Sequence, residues 1–67
     1  MKNRIRVARA EVRMTQQQLA EAIGVSRQTI NAIESGKFVP STVLALKMAH
    51  VFEKPVEDIF MLDDEDQ

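Results

Sequence analysis

Three side chains near the middle of the chain, those of Arg27, Gln28 and Asn31, have the chemistry needed to recognise the edges of nucleobases. An arginine fork can pair bidentately with guanine O6 and N7, and a Gln or Asn amide can pair with adenine N6 and N7. On a helical wheel of about 100° per residue the three lie on one face. Ala32 joins them there and could meet a thymine methyl. These four residues are candidates for a base-reading surface.

The opposite face of the same segment is apolar, as it must be if a helix is to hold that surface in place. Ile30, Ile33 and Thr29 cluster about 200–300° around the wheel from the arginine. Glu34 lies at the border between the two faces. An exposed polar face of this kind is common on soluble helices, so the face alone leaves a purely structural role open.

The residues around this helix indicate how it is joined to the helix before it. Thr15 and Gln18 have the reciprocal spacing of a capping box, which begins a helix. Gly24 can end that helix in the left-handed conformation, and Ser26 can cap the next one. Two helices joined so tightly must cross at a steep angle. The pattern therefore predicts a helix-turn-helix over about residues 15–35.

The rest of the chain predicts a compact all-α domain of five helices. Asn3 and Ser41 are expected to cap the first and fourth helices, and Pro55 to stand in the first turn of the fifth. We expect residues 1–62 to form this single domain and residues 63–67 to be a flexible acidic tail. The predicted helices cover roughly residues 3–13, 15–23, 27–35, 41–53 and a short segment from residue 55.

The net charge of −1 conceals a strong asymmetry along the 67 residues. Residues 1–52 carry eight basic and three acidic groups, whereas residues 53–67 carry one basic and seven acidic groups. A basic body with an acidic end is compatible with binding a polyanion. The small excess of positive charge predicts modest non-specific affinity, so base contacts should matter more than bulk attraction.

The stretch MTQQQLAEAIGVSRQTINAIESGKFVPS resembles the helix-turn-helix of XRE-type regulators, the superfamily of lambda repressor and Cro. The resemblance covers about residues 4–60 and includes PVEDIF, which is similar to the closing helix of small stand-alone members. It implies a lambda-repressor-like fold and sequence-specific binding of double-stranded DNA through the third helix, which would enter the major groove.

The resemblance also implies roles for individual residues. Arg27 and Gln28 would read base edges, with Asn31 and Ala32 deeper in the groove. An ion pair between Arg9 and Glu34 would join the first helix to the end of the third. The residues implied as phosphate contacts, which position the protein without specifying sequence, are Gln16, Thr29, Ser35 and Lys37.

Two departures from the family pattern follow the third helix. Phe38 and Val39 occupy a loop that is basic and touches phosphate in several relatives, so the clamp on the DNA backbone should be weaker here. Thr42 and Ala45 stand where the family usually has larger apolar groups, which predicts a thinner core at the fourth helix.

Other kinds of function find little support in the sequence. His50 is the only histidine and there is no cysteine, so neither a metal site nor a catalytic set is expected. The sequence contains no phosphate-binding glycine loop, so we expect neither a cofactor nor a small-molecule ligand. We expect no enzyme activity. No apolar run is long enough to span a membrane and no secretory signal is evident, which favours a cytoplasmic protein.

More apolar residues are present than a five-helix monomer obviously needs. These residues either complete the core or form the interface of a homodimer, and they are Leu44, Leu46, Val51, Met61 and Leu62. Some small relatives pair their chain ends as a short hairpin, and this resemblance implies the same pairing for residues 1–3 and 60–62. Two modules spaced by one DNA turn, about 34 Å, would read a two-fold symmetric operator, as a homodimeric repressor does. The alternative is an antitoxin or accessory module of the same fold whose main partner is a protein.

Overall fold

Side-chain caps begin three of the helices, at the residues predicted from the sequence. The Gln18 N–H donates to Thr15 Oγ1 at 3.0 Å, and the Thr15 N–H donates to Gln18 Oε1 at 2.8 Å, which completes the capping box. The hydroxyls of Ser26 and Ser41 each accept a backbone N–H three residues on, at 3.1 and 3.2 Å. Gly24 then ends the first of these helices with φ of 78°, in the left-handed region.

The computed structural model describes all residues, 1–67, as a mostly helical domain closed by a two-stranded ribbon. No helix has the length and apolar character needed to cross a lipid bilayer. The elements are β1 (Lys2–Asn3), α1 (Ile5–Glu11), α2 (Gln16–Ile23), α3 (Arg27–Glu34), α4 (Thr42–Phe52) and β2 (Phe60–Met61), with 3₁₀ turns at Val56–Asp58 and Asp64–Asp66.

The prediction of five helices is wrong, because the structure has four. Pro55 caps only a three-residue 3₁₀ turn, in which the Asp58 and Ile59 N–H groups bond three residues back at 3.0 Å. The chain then enters β2 at Phe60. Too few residues separate the proline from the strand for an α-helical bond pattern to become established.

The chain ends pair as predicted. Lys2 lies opposite Met61 and Asn3 opposite Phe60 in an antiparallel ribbon, which the Arg4 N–H extends by donating to the Ile59 carbonyl at 2.8 Å. This pairing moves the start of α1 from the predicted residue 3 to Ile5. Asn3 still supports the helix, since its Oδ1 accepts the Ile5 N–H at 3.2 Å.

The acidic segment at residues 63–67 is exposed over most of its length and contains a short 3₁₀ turn. Asp63 caps the turn and also accepts a hydrogen bond from the Met1 ammonium group at 3.2 Å. The same ammonium lies 2.9 Å from Asp66 Oδ2. In the sequence these acids appear as a run of like charges that repel one another. The sequence does not reveal that the Met1 ammonium group lies close to two of them, Asp63 and Asp66.

The core is almost entirely aliphatic and fixes α3 against the rest of the domain. Ile30 and Ile33, the two isoleucines of α3, are buried, as the helical wheel requires. They pack with residues from every other helix and from the segment around β2. The buried residues are Ile5, Ala8, Leu19, Ala20, Ile23, Ile30, Ile33, Met48, Phe52, Ile59 and Phe60.

Candidate nucleic-acid interface

The front of α3 is open to solvent along its polar face. Arg27, Gln28 and Asn31 are exposed, while Ala32 is half-buried beside them. With Gln16 and Gln17 of α2, the three exposed residues line one shallow hollow that contains no apolar side chain. The structure thus brings the predicted base-reading residues together on a single surface at the helix-turn-helix.

Gln16 connects α2 to the front of α3 by hydrogen bonds. Its Nε2 donates to Asn31 Oδ1 at 3.4 Å and to Glu34 Oε1 at 3.2 Å. Its Oε1 accepts from Arg27 Nε at 3.5 Å. These long bonds are weak and leave the side chains able to exchange them for bonds to another molecule. They nevertheless place the amide of Gln16 between the residues expected to read bases.

Arg9 and Glu34, the predicted ion pair, lie in contact behind this front. Arg9 Nε is 2.7 Å from Glu34 Oε2, and its Nη2 donates to Oε1 at 3.2 Å. A third bond runs from Arg9 Nη1 to the Met14 carbonyl at 3.0 Å. Only 2% of the Glu34 side chain and 14% of the Arg9 side chain are exposed, so the carboxylate depends on its partners for solvation.

Asn3 makes a second connection between the N-terminal segment and the end of α3. Its Nδ2 donates to the carbonyls of Ile33 and Glu34 at 3.0 and 3.4 Å, which satisfies acceptors that a helix leaves open at its C-terminal end. We did not predict this role, because the sequence suggested only that Asn3 caps its own helix. Its location in the ribbon, a tertiary feature, makes the contact geometrically possible.

The residues expected to contact phosphate differ in how accessible their polar groups are. Lys37 is exposed. The Ser35 hydroxyl is exposed but donates back to the Ala32 carbonyl at 3.2 Å. Thr29 is half-buried and its hydroxyl lies 2.9 Å from that of Ser26, within the helix cap. To donate to a phosphate, the Ser35 hydroxyl would have to release the Ala32 carbonyl, and Thr29 would have to release Ser26 wherever its own hydroxyl is the donor of their bond.

Four of the residues considered for a dimer interface do not form one exposed surface. Leu44 and Val51 are half-buried and pack against the core, so they serve at least partly to complete it. Met61 is half-buried in the ribbon and only Leu62 is exposed, at 63%.

Two residues of α4 are more exposed, namely Leu46, which the sequence places among the surplus apolar residues, and Val43, which it does not. Val43 is 62% and Leu46 is 58% accessible. They line a shallow apolar hollow with Ala22 of α2 and Val51. The apolar residues of α4 that recur at helical spacing lie on its buried side, whereas the sequence leaves open whether the other apolar residues of this helix complete the core or face solvent. The residues at helical spacing are Ala45, Met48, Ala49 and Phe52.

The two helices with their tight connection, and the polar front of the second, define a helix-turn-helix protein. Residues 5–59 match the Helix-turn-helix family, and the chain belongs to that family. The match covers most of the chain and confirms the XRE-type resemblance seen in the sequence.

Relatives of similar length support this membership. The chain is 50% identical over 66 residues to the uncharacterized HTH-type transcriptional regulator MJ0272 of Methanocaldococcus jannaschii, covering 98% of this chain and 100% of that one. It is 46% identical over 65 residues to the uncharacterized HTH-type transcriptional regulator YgzD of Bacillus subtilis, covering 97% and 98%. The solved structure of the clp gene regulator ClgR from Corynebacterium glutamicum is similar, with a TM-score of 0.75 and 31% identity over 81% of this chain and 57% of that chain.

Proposed function

We propose that this protein is a transcriptional regulator that binds double-stranded DNA sequence-specifically, with α3 in the major groove. The observation that carries the proposal is the exposed front of α3, where Arg27, Gln28 and Asn31 stand together while Ile30 and Ile33 are buried behind them. Bidentate donors and acceptors on one rigid helix are what direct readout of base pairs requires. The names of the relatives, as transcriptional regulators, support the same function.

The remaining assignments follow from this placement. Arg27 and Gln28 read base edges near the N-terminal end of α3, and Asn31 and Ala32 lie further along the groove. Lys37 contacts the DNA backbone directly. Gln16, Thr29 and Ser35 do so after releasing their bonds within the protein, and these contacts fix the register of the helix.

We further propose that the regulator acts as a homodimer and represses by occupying a two-fold symmetric operator. A single module of this size makes few base contacts, and pairing doubles them at half-sites about 34 Å apart. The exposed apolar side of α4 around Val43 and Leu46 is the surface we assign to this pairing, with the half-buried Val51 beside it, while Leu44 packs against the core. Met61 and Leu62 form the competing surface at the ribbon.

The test is selection of binding sites from random double-stranded DNA, followed by binding of Arg27→Ala and Gln28→Ala to the selected duplex. Each variant should lose about 1–3 kcal/mol and relax the preference at one base pair. Lys37→Ala is the control and should weaken binding to all sequences alike. Selection of no preferred sequence, or unchanged affinity and preference in both variants, would reject the assignment.

The same apolar side of α4 supports a second candidate, in which the chain is an antitoxin or accessory module and its main partner is another protein. A helix face that exposes valine and leucine can dock a second protein as readily as a second copy of the chain. A partner that co-purifies in a stoichiometric complex, together with an absence of sequence preference in the DNA selection, would favour this candidate over the regulator.

A further inference from the structure

Arg6 of α1 has an unusual combination of exposure and position. It is 79% exposed, yet its Nε lies 3.7 Å from Glu34 Oε1, the carboxylate at the end of α3. Arg9, one helical turn further on, is on the same side of α1 and already makes two hydrogen bonds to that carboxylate. One buried negative charge therefore faces two arginines, and only Arg9 is close enough to pair with it fully.

The charge of Arg6 consequently remains largely uncompensated. An exposed pair at this distance contributes little to stability and is easily exchanged for another anion. Releasing Arg6 would not strip Glu34 of a partner, since the bonds from Arg9 and Gln16 remain. The side chain is thus a cation held loosely at a defined place.

That place adjoins the candidate base-reading surface. Glu34 Oε1, which attracts Arg6, also accepts the hydrogen bond from Gln16 Nε2 at 3.2 Å. Gln16 in turn reaches Asn31 at 3.4 Å and Arg27 at 3.5 Å. A continuous line of polar contacts therefore runs from Arg6 to the front of α3. If α3 enters a major groove as proposed, we expect the phosphates at the edge of that groove to pass close to this line.

We propose that Arg6 binds a DNA phosphate at the flank of the groove that α3 enters. On binding, Arg6 leaves Glu34 for the phosphate, while Arg9 stays paired and keeps α3 in place. The inference rests on the proposed DNA-binding function and adds a contact from α1. Such a contact is physically useful here because the loop after α3 offers one cation, Lys37, followed by the exposed apolar residues Phe38 and Val39.

Arg4 supplies a matched control two residues earlier in the chain. It is also an exposed arginine, but it lines a groove with Glu57 and Asp58 between α1 and the turn that precedes β2. These carboxylates would repel a phosphate, and the groove does not include any residue of the base-reading surface. Neutralising Arg4 removes the same formal charge as neutralising Arg6 while leaving the proposed contact intact.

The experiment measures binding of the selected duplex at several KCl concentrations for the wild type, Arg6→Gln, Arg6→Lys and Arg4→Gln. One lost phosphate contact should reduce the slope of log K against log salt by about 0.9, so that raising KCl from roughly 50 to 200 mM costs Arg6→Gln three- to fourfold less affinity than the wild type. Arg6→Lys should restore the slope, and Arg4→Gln should match the wild type. Base preference should be unchanged in all of them.

An unchanged slope in Arg6→Gln would overturn the inference, and so would an equal fall in Arg4→Gln, which would indicate a general effect of net charge. Urea unfolding of each variant controls for folding, which an exposed side chain should hardly affect. If the wild type binds with base preference and Arg6→Gln keeps the wild-type salt slope, the phosphate contact of Arg6 is rejected but the proposed DNA-binding function stands. A wild type that selects no sequence removes the proposed function as well.

Discussion

Arg9 and Glu34 join α1 to the end of α3 through two hydrogen bonds, Nε to Oε2 at 2.7 Å and Nη2 to Oε1 at 3.2 Å. The pair is buried, so its net contribution to stability is small even though loss of one partner is costly. Its main effect is on orientation, because the last turn of α3 cannot rotate without separating the charges. The front of α3 is therefore positioned from behind by the N-terminal helix.

Replacing Glu34 by Gln should lower the free energy of unfolding by about 3 kcal/mol, since Arg9 would keep a charge that the interior no longer balances. Urea denaturation measures this change. Glu57→Gln, at an exposed carboxylate, is the control and should change stability by less than about 0.5 kcal/mol. The double replacement of Arg9 by Met and Glu34 by Leu should recover most of the loss. Equal stability of Glu34→Gln and the wild type would contradict the role given to this pair.

Two helices end at a residue in the left-handed conformation, α2 at Gly24 and α4 at Glu53. Introducing glycine at one of these ends and removing it from the other should change stability in opposite directions. Glu53 ends α4 with φ of 53°, a conformation that costs a residue with a Cβ about 1 kcal/mol. Glu53→Gly should therefore raise the unfolding free energy by roughly 0.5–1 kcal/mol. Gly24→Ala should lower it by about as much. An added Cβ at Gly24 would meet nothing within 4 Å, so this cost is conformational and not steric. Stabilisation by Gly24→Ala would refute the explanation.

A charge placed on α4 should distinguish the two candidate dimer surfaces. Leu46→Glu should weaken self-association by at least about tenfold, because pairing through α4 would bury an unpaired carboxylate. Leu62→Glu, at the ribbon, should leave it unchanged. Sedimentation equilibrium over a range of concentrations reports both. If Leu62→Glu alone dissociates the dimer, the interface lies at the ribbon, and if the wild type is monomeric at every concentration the proposed dimer fails.

Stability should depend on pH through the contact between the N-terminal amine and the acidic turn. Hydrogen bonds to Asp66 and Asp63 raise the pKa of the Met1 amine above its ordinary 8.0. The amine therefore stabilises the fold fully below pH 8, and this contribution disappears as pH rises through the raised pKa. The hydrogen bond from the amine lowers the pKa of Asp66 below 3.8, so the contribution of Asp66 is present above that pH and lost as pH falls through the lowered pKa.

The melting temperature measured between pH 2 and pH 10 should show both losses, and Asp66→Asn should reduce each of them. Acetylation of the amine removes its charge, so it should abolish the alkaline loss and reduce the acid loss, because the amine is the main cause of the lowered pKa of Asp66. The effect should be modest because both groups are exposed to solvent and the contact is screened by salt. Identical pH profiles for the acetylated and unmodified protein would exclude the contact as a source of stability.

Local signals made the helix-turn-helix predictable from the sequence. Thr15, Gly24 and Ser26 act through bonds and backbone conformations that span only a few residues, so their roles can be recognised without knowing the tertiary structure. The exposed front of α3 followed from the helical period alone, with Ile30 and Ile33 marking the buried side.

The errors arose where tertiary contacts decide the local structure. The segment after Pro55 lacks the length to sustain a helix once Phe60 pairs with Asn3, and nothing near the proline indicates that pairing. In α4, helical spacing indicates the buried side, but whether Leu44 and Leu46 complete the core or face solvent depends on how the helix docks, and the structure buries only Leu44 in part. Arg6 was overlooked for a similar reason, since its proximity to Glu34 depends on how α1 docks.

The ribbon also constrains the order in which the molecule can be assembled. Met1 and Asp63, which meet beside it, are 62 positions apart along the chain. The helix-turn-helix, in contrast, is built from neighbouring segments, whose loops close quickly and at small entropic cost. During synthesis α2 and α3 can therefore begin to associate before β2, the partner strand of β1, has left the ribosome. Closure of the ribbon would then be a late event that completes an already organised reading helix.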